Sequence, residues 1–96
     1  MYIEVILCFD ISSNRTRRKF IKEIRDLGFI SIQESVFWGK ILQAELRSVG
    51  KLFKEYLNKE TDKAFVVNAK FSEVIKENSF GYPDKDIFTD KGFTII

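Results

Sequence analysis

Residues 2–10 read Tyr2-Ile3-Glu4-Val5-Ile6-Leu7-Cys8-Phe9-Asp10, and the fold turns on this run. From Tyr2 to Phe9 the residues are β-formers with little polarity, so the stretch predicts a strand. A nearly continuous apolar run predicts cover on both faces of that strand. Asp10 breaks it. The connection Ile11-Ser12-Ser13-Asn14 follows, in which Ser13 or Asn14 can cap a helix.

A helix is predicted from this cap to about Leu27. Gly28 ends it as a residue suited to a left-handed cap. Phe20, Ile21, Ile24 and Leu27 form its apolar stripe. Arg15, Arg18, Lys19, Lys22 and Arg25 fall on the opposite side at about 100° per residue. Phe29 to Gln33 and Ser35 to Lys40 predict two further strands joined tightly around Glu34. Leu42 to about Leu57 predicts a second helix, with Leu42, Leu46, Val49, Phe53, Tyr56 and Leu57 on one face. Gly50 within it costs about 1 kcal/mol relative to alanine, which suggests close packing at that point. Ala64 to Asn68 predicts a fourth strand, and Ser72 to Lys76 a short helical turn. The order is β-α-β-β-α-β, so the fold class is α+β, a ferredoxin-like domain over residues 1–77. Residues 78–96 form a tail with turn signals at Gly81, Pro83, Asp84 and Asp90. It ends in Phe93-Thr94-Ile95-Ile96, a short apolar strand that needs a sheet edge, such as a neighbouring protomer's, to join.

Composition narrows the chemistry. The chain has 96 residues, one cysteine and no histidine. A core of this size is thin, and pairing with a second chain would reinforce it. The missing histidine removes serine triads and most zinc sites. Cys8 has no base to activate it, and apolar neighbours raise a thiol pKa. One cysteine cannot build an intrachain disulfide, which fits a reducing cytoplasm. Met1-Tyr2-Ile3-Glu4 does not resemble a signal peptide, and no apolar stretch approaches the roughly 20 residues that span a membrane. A soluble, cytoplasmic protein without membrane contact is expected.

The net charge of +2 is unevenly spread. Arg15, Arg17, Arg18, Lys19, Lys22 and Arg25 face a single acid, Glu23, within eleven residues. The ordinary reading is a solvated helix face. The sharper reading is a phosphate-contacting patch. Arg17 projects from the apolar side in the first turn, beside the end of the first strand. There it can pair with Asp10 as a salt bridge, contact an anion, or do both.

Three motif readings fail. Asp84, Asp86 and Asp90 do not make a calcium loop, because Phe88 holds a ligand position and Ile95 stands where a bidentate glutamate belongs. The glycines are scattered, and none opens a helix after a strand as a phosphate loop requires. Val36-Phe37-Trp38-Gly39 does not match the third-strand signature of an RNA-recognition motif. In that run Phe37 and Trp38 alternate faces, so one is expected in the core and the other at an interface or exposed. Asp10 remains. It is either an Asx-turn residue or a ligand for a hard cation. One aspartate per chain is few for Mg²⁺, but a two-fold dimer can bring two copies of Asp10 together across its axis.

Taken together, Phe9-Asp10, the Arg15 to Lys19 helix start, Leu27-Gly28-Phe29 and Gln33-Glu34-Ser35-Val36-Phe37-Trp38-Gly39 resemble the CRISPR-associated Cas2 family over roughly residues 1–68. That resemblance implies a small ferredoxin-like homodimer serving CRISPR adaptation, or spacer acquisition. It implies partnership with the Cas1 integrase and binding of duplex DNA or single-stranded RNA. It also implies metal-dependent endonuclease activity with Mg²⁺ or Mn²⁺, Asp10 being the metal and catalytic candidate. Arg17 and Arg18 match the family's nucleic-acid-contacting positions, to which the helix run adds Arg15, Lys19 and Lys22. Ser35 and Phe37 match the family's Gln-x-Ser-Val-Phe run, and Ser12 is a further supporting candidate. The last strand is implied to extend onto the partner's sheet. Two departures adjoin the aspartate: Phe9 stands where many members carry tyrosine, and Ser12-Ser13-Asn14 supplies no second acid. The competing readings are a non-catalytic adaptor and a ferredoxin-like toxin ribonuclease.

Overall fold

The computed structural model describes residues 1–82. The chain runs β1 (Tyr2–Asp10), α1 (Asn14–Asp26), β2 (Ile30–Gln33), β3 (Val36–Leu42), α2 (Leu46–Tyr56), β4 (Lys63–Asn68) and α3 (Phe71–Glu77). The sheet order is β2-β3-β1-β4, with every neighbouring pair antiparallel. This is the expected ferredoxin-like βαββαβ arrangement. The expected strand over Phe93–Ile96 lies outside the described residues.

β1 is central, and its alternation sets the two faces. Val5, Leu7 and Phe9 are buried toward the helices. Glu4, Ile6 and Cys8 lie on the other face and are only partly covered. Strand pairing continues through Asp10, which sits opposite Lys63. The aspartate therefore closes the strand from within rather than breaking it.

α1 follows its sequence signals. Ser13 is its N-cap, and the Ser13 Oγ accepts the Thr16 N–H at 3.1 Å. At the far end Gly28 takes φ +107°, a conformation that disfavours any side chain. The Gly28 N–H donates to the Arg25 carbonyl and the Phe29 N–H to the Ile24 carbonyl. That pair of bonds is a Schellman cap, completed by Phe29 and Ile24 packing in one core.

The main core lies between the sheet and the α1/α2 layer. Phe9, Phe20, Phe37 and Phe53 stack in a chain: Phe9 to Phe20 at 5.3 Å, Phe9 to Phe37 at 5.6 Å and Phe20 to Phe53 at 6.0 Å. Burying side chains of this size is worth roughly 1.5–3 kcal/mol each, so this face carries most of the fold's stability. Gly39 is fixed by that core. A β-carbon there would meet the Phe29 ring at 2.8 Å.

Three local expectations are corrected. Leu42 belongs to the end of β3 and is 39% exposed, because a 3-10 turn over Gln43–Glu45 separates the strand from α2. Gly50 serves no close packing, since a β-carbon there would meet nothing within 4 Å. Phe37 and Trp38 do alternate faces, but both are buried. Trp38 lies under α3 with Ile75 in a second, smaller cluster. Its indole N–H donates to Glu4 Oε1 at 3.0 Å. The same carboxylate takes the backbone N–H of Ser72 at 3.0 Å and its hydroxyl at 2.9 Å. Glu4 thus pins the start of α3 to the sheet.

Candidate nucleic-acid interface and metal-ligand site

The β1–β3 pairing brings the end of β1 beside the β2–β3 turn, and one further backbone bond extends it. The Phe9 N–H donates to the Ser35 carbonyl at 3.1 Å. Ser35 holds φ +62°, an unfavourable region for a side-chain-bearing residue. A bulge between Ser31 and Gln33 accompanies the turn. The local chain geometry therefore sets Glu34 and Ser35 next to Asp10.

A cleft of about 470 Å³ opens here, lined by Asp10, Arg17 and Arg25 together with Glu34, Ser35 and Phe37. Asp10 is exposed, and among the described residues its side chain has no hydrogen-bond or ion-pair partner. The expected Asp10–Arg17 salt bridge is not formed. Arg17 instead donates from Nη1 to the Ile11 carbonyl at 2.6 Å and from Nη2 to the Asn14 side chain. A carbonyl and an amide hold the guanidinium without neutralising it, so its charge stays available to the cleft. Desolvation pushes the Cys8 thiol up from its ordinary value, which keeps it protonated and poorly nucleophilic at neutral pH.

The structure divides the other sequence candidates. Arg17, Ser35 and Phe37 join Asp10 at the cleft. Arg15, Arg18, Lys19 and Lys22 are exposed on the outer surface of α1. Of these, Lys22 is engaged by Asp26 one turn on, at 3.2 Å. Ser12 turns away from the cleft: its N–H donates to Asp62 Oδ1 at 3.0 Å and its hydroxyl to the Thr61 carbonyl at 3.2 Å. It ties the β1–α1 connection to the α2–β4 loop.

Two cleft residues escape sequence reasoning. Arg25 lies eight residues after Arg17 and Ile21 lies midway, so the three share one flank of α1 at i, i+4 and i+8. Projecting the helix onto an apolar and a polar half assigns Arg25 to the solvated half and hides that flank. Glu34 reads as a turn residue because nothing local links the β2–β3 turn to the end of β1.

The donor set in the cleft is all oxygen: the Asp10 and Glu34 carboxylates and the Ser35 hydroxyl. Hard cations such as Mg²⁺ take one or two carboxylates plus water or phosphate, so these donor types fit. Among the described residues there is no cluster of three or more acidic, cysteine or histidine ligands. No helix among them is long and apolar enough to cross a membrane.

Residues 1–74 match the family model described as "CRISPR associated protein Cas2". A protein of Francisella tularensis subsp. novicida, named CRISPR-associated endoribonuclease Cas2 1, is 37% identical over 82 residues, covering 85% of this chain and 84% of that protein. A protein of the same name from Methanospirillum hungatei is 30% identical over 63 residues, 66% of each. Two solved structures share the fold. Streptococcus pyogenes Cas2 at pH 6.5 superposes with a TM-score of 0.69 at 18% identity, covering 82% of this chain and 100% of that one. The hypothetical protein TT1823 from Thermus thermophilus gives 0.67 at 17% identity, covering 72% and 83%.

Proposed function

This chain belongs to the CRISPR-associated Cas2 family, and from that premise we propose that it serves CRISPR adaptation as a dimeric, nucleic-acid-binding subunit. The observation that carries the reading is the cleft at the end of β1, where uncompensated guanidinium charge stands beside a carboxylate with spare oxygens. Guanidinium groups match phosphate oxygens in geometry and charge. The outer row of Arg15, Arg18 and Lys19 extends the same positive field along α1 and attracts a polyanion without reading its sequence.

Pairing with a second copy is supported by the face of β4. Phe65 and Val67 are 56% and 49% exposed on an edge strand, away from the helix layer. Exposed apolar residues on a strand that is an edge among the described residues favour association. The Cas1 integrase is the proposed partner of that dimer, and duplex DNA or single-stranded RNA its proposed ligand.

A second reading is metal-dependent endonuclease activity. It is favoured by the free Asp10 carboxylate with Glu34 in the same cleft, and the two relatives above are named endoribonucleases. Asp10 and Glu34 would hold Mg²⁺ or Mn²⁺, with Asp10 of a second copy completing the donor set. When bound there, the ion would supply a polarised water and offset charge developing on a phosphodiester. Arg17 would hold the backbone phosphate. Ser35 would fix the turn that carries Glu34.

The test is a matched set. Reversing charge in R17E/R18E is expected to weaken binding of duplex DNA and single-stranded RNA and to flatten its dependence on salt, since each lost phosphate contact removes about one unit of slope. An unchanged slope would mean that α1 is only a solvated face. Light scattering is expected to give a dimer mass. Cleavage in Mg²⁺ or Mn²⁺ is expected to vanish in Asp10→Ala while dimerisation and integrase binding persist. Cleavage that survives the substitution removes the nuclease reading and leaves the adaptor.

A further inference from the structure

We propose that Arg25, laid over the Phe37 ring, is a phosphate-contacting residue of the Asp10 cleft that positions the nucleic-acid backbone. The inference rests on the nucleic-acid-binding reading above. The Arg25 guanidinium carbon lies 5.8 Å from the Phe37 ring centroid, within cation–π range. Phe37 is itself 3% exposed and stacked on Phe9, the residue before Asp10. The arginine therefore caps an aromatic stack that begins in the core and ends at the cleft.

Arg25 stands in the last turn of α1, where a positive charge complements the helix dipole. That accounts for a charge at this position but not for its placement over Phe37. Among the described residues Arg25 has no ion-pair partner. A guanidinium over a ring keeps its N–H donors, which the ring does not use up, available to phosphate oxygens. Arg17 and Arg25 are separated by eight helical residues, about 12 Å along the axis. Two charges at that spacing on one flank can engage two different phosphates of one backbone, one near the start of the cleft and one near its end.

The arrangement predicts that charge alone is insufficient. Lysine would keep the charge but lose the forked contact and part of the contact with the ring. Binding of a fluorescein-labelled DNA duplex and of a labelled single-stranded RNA is to be measured by anisotropy across a salt series. The proteins compared are wild type, R25A, R25K, F37L, R25A/F37L and R17E/R18E. R25A is expected to lose about five- to tenfold in affinity and about one unit of salt slope. R25K is expected to recover the slope but only part of the affinity. F37L is expected to weaken binding in the wild-type background and to add nothing to R25A, since its effect passes through the arginine. Circular dichroism identifies any F37L loss that is a folding defect, in which case R25A and R25K alone decide. If R25A leaves affinity and slope unchanged while R17E/R18E reduces both, Arg25 is not a contact and the nucleic-acid reading stands. If no variant changes the slope, that reading falls with it.

Discussion

Glu4 and Asp10 stand on the same strand, yet the fold uses them in opposite ways. The Glu4 oxygens receive three hydrogen bonds, from the Trp38 indole and from the backbone and hydroxyl of Ser72. The Asp10 side chain receives none from the described residues. Glu4 is half-buried in a structural joint, and Asp10 is exposed at a cleft. A carboxylate whose oxygens are saturated by its own fold holds an element in place. One whose oxygens are spare can hold something else. Residue type does not distinguish the two, but hydrogen-bond occupancy does.

The largest effect that separates them is on stability. Glu4→Ala removes the carboxylate that receives the Trp38 N–H and the Ser72 N–H and loosens α3 from the sheet. Losing a part-buried hydrogen bond to a charged acceptor costs about 1–3 kcal/mol, so the variant is expected to lose about 2–3 kcal/mol in urea melts. The chain has a single tryptophan, so its fluorescence reports the joint directly and is expected to shift to the red. A variant as stable as wild type would dissolve the distinction from one side.

Asp10→Asn is expected to behave in the opposite manner. With no hydrogen bond from the described residues to lose, its melting transition should lie within about 0.5 kcal/mol of wild type, as for other surface substitutions. Its loss should appear only where a ligand is present, as weaker stabilisation by added Mg²⁺ or Mn²⁺ in the same melts. A large loss without metal would show that Asp10 is structural after all.

The same contrast explains what could be read from the sequence. Element order is legible because its signals are local: the apolar run of β1, the Ser13 and Gly28 caps of α1, the tight turn at Glu34–Ser35. Asp10 is legible as a polar residue at a strand end, and Arg17 as a charge on an otherwise apolar flank. The role of Glu4 is not legible, because Trp38 and Ser72 meet it from 34 and 68 residues away. The Arg17 contact with the Ile11 carbonyl is hidden for a different reason: backbone acceptors carry no sequence signature. The place of Arg25 at the cleft is missed, although its charge is counted in the basic run, because a two-sided helix projection has no category for a flank that borders a cleft. Periodicity reports which face a residue is on, and the site is made where an edge of one face meets the end of a strand.

Asp62 offers the smallest test of the contrast, and one read by pH. It lies one residue before β4, close to the end of β1, and belongs to the saturated kind. Its carboxylate accepts the Ser12 N–H at 3.0 Å, the Asn58 N–H at 2.9 Å and the Thr61 hydroxyl at 3.1 Å. The backbone bonds from Asn58 and Ser12 hold its pKa below the ordinary aspartate value. A depressed folded pKa means that the stabilisation is fully present above the unfolded value of about 3.9 and is lost as pH falls through the lower folded value. Thermal melts of the wild type should therefore lose stability below about pH 4, and Asp62→Asn, which has no proton to take up, should show a shallower acid limb. Identical limbs for wild type and Asp62→Asn would mean that the loop bonds to Asp62 are too weak in solution to favour its ionised form.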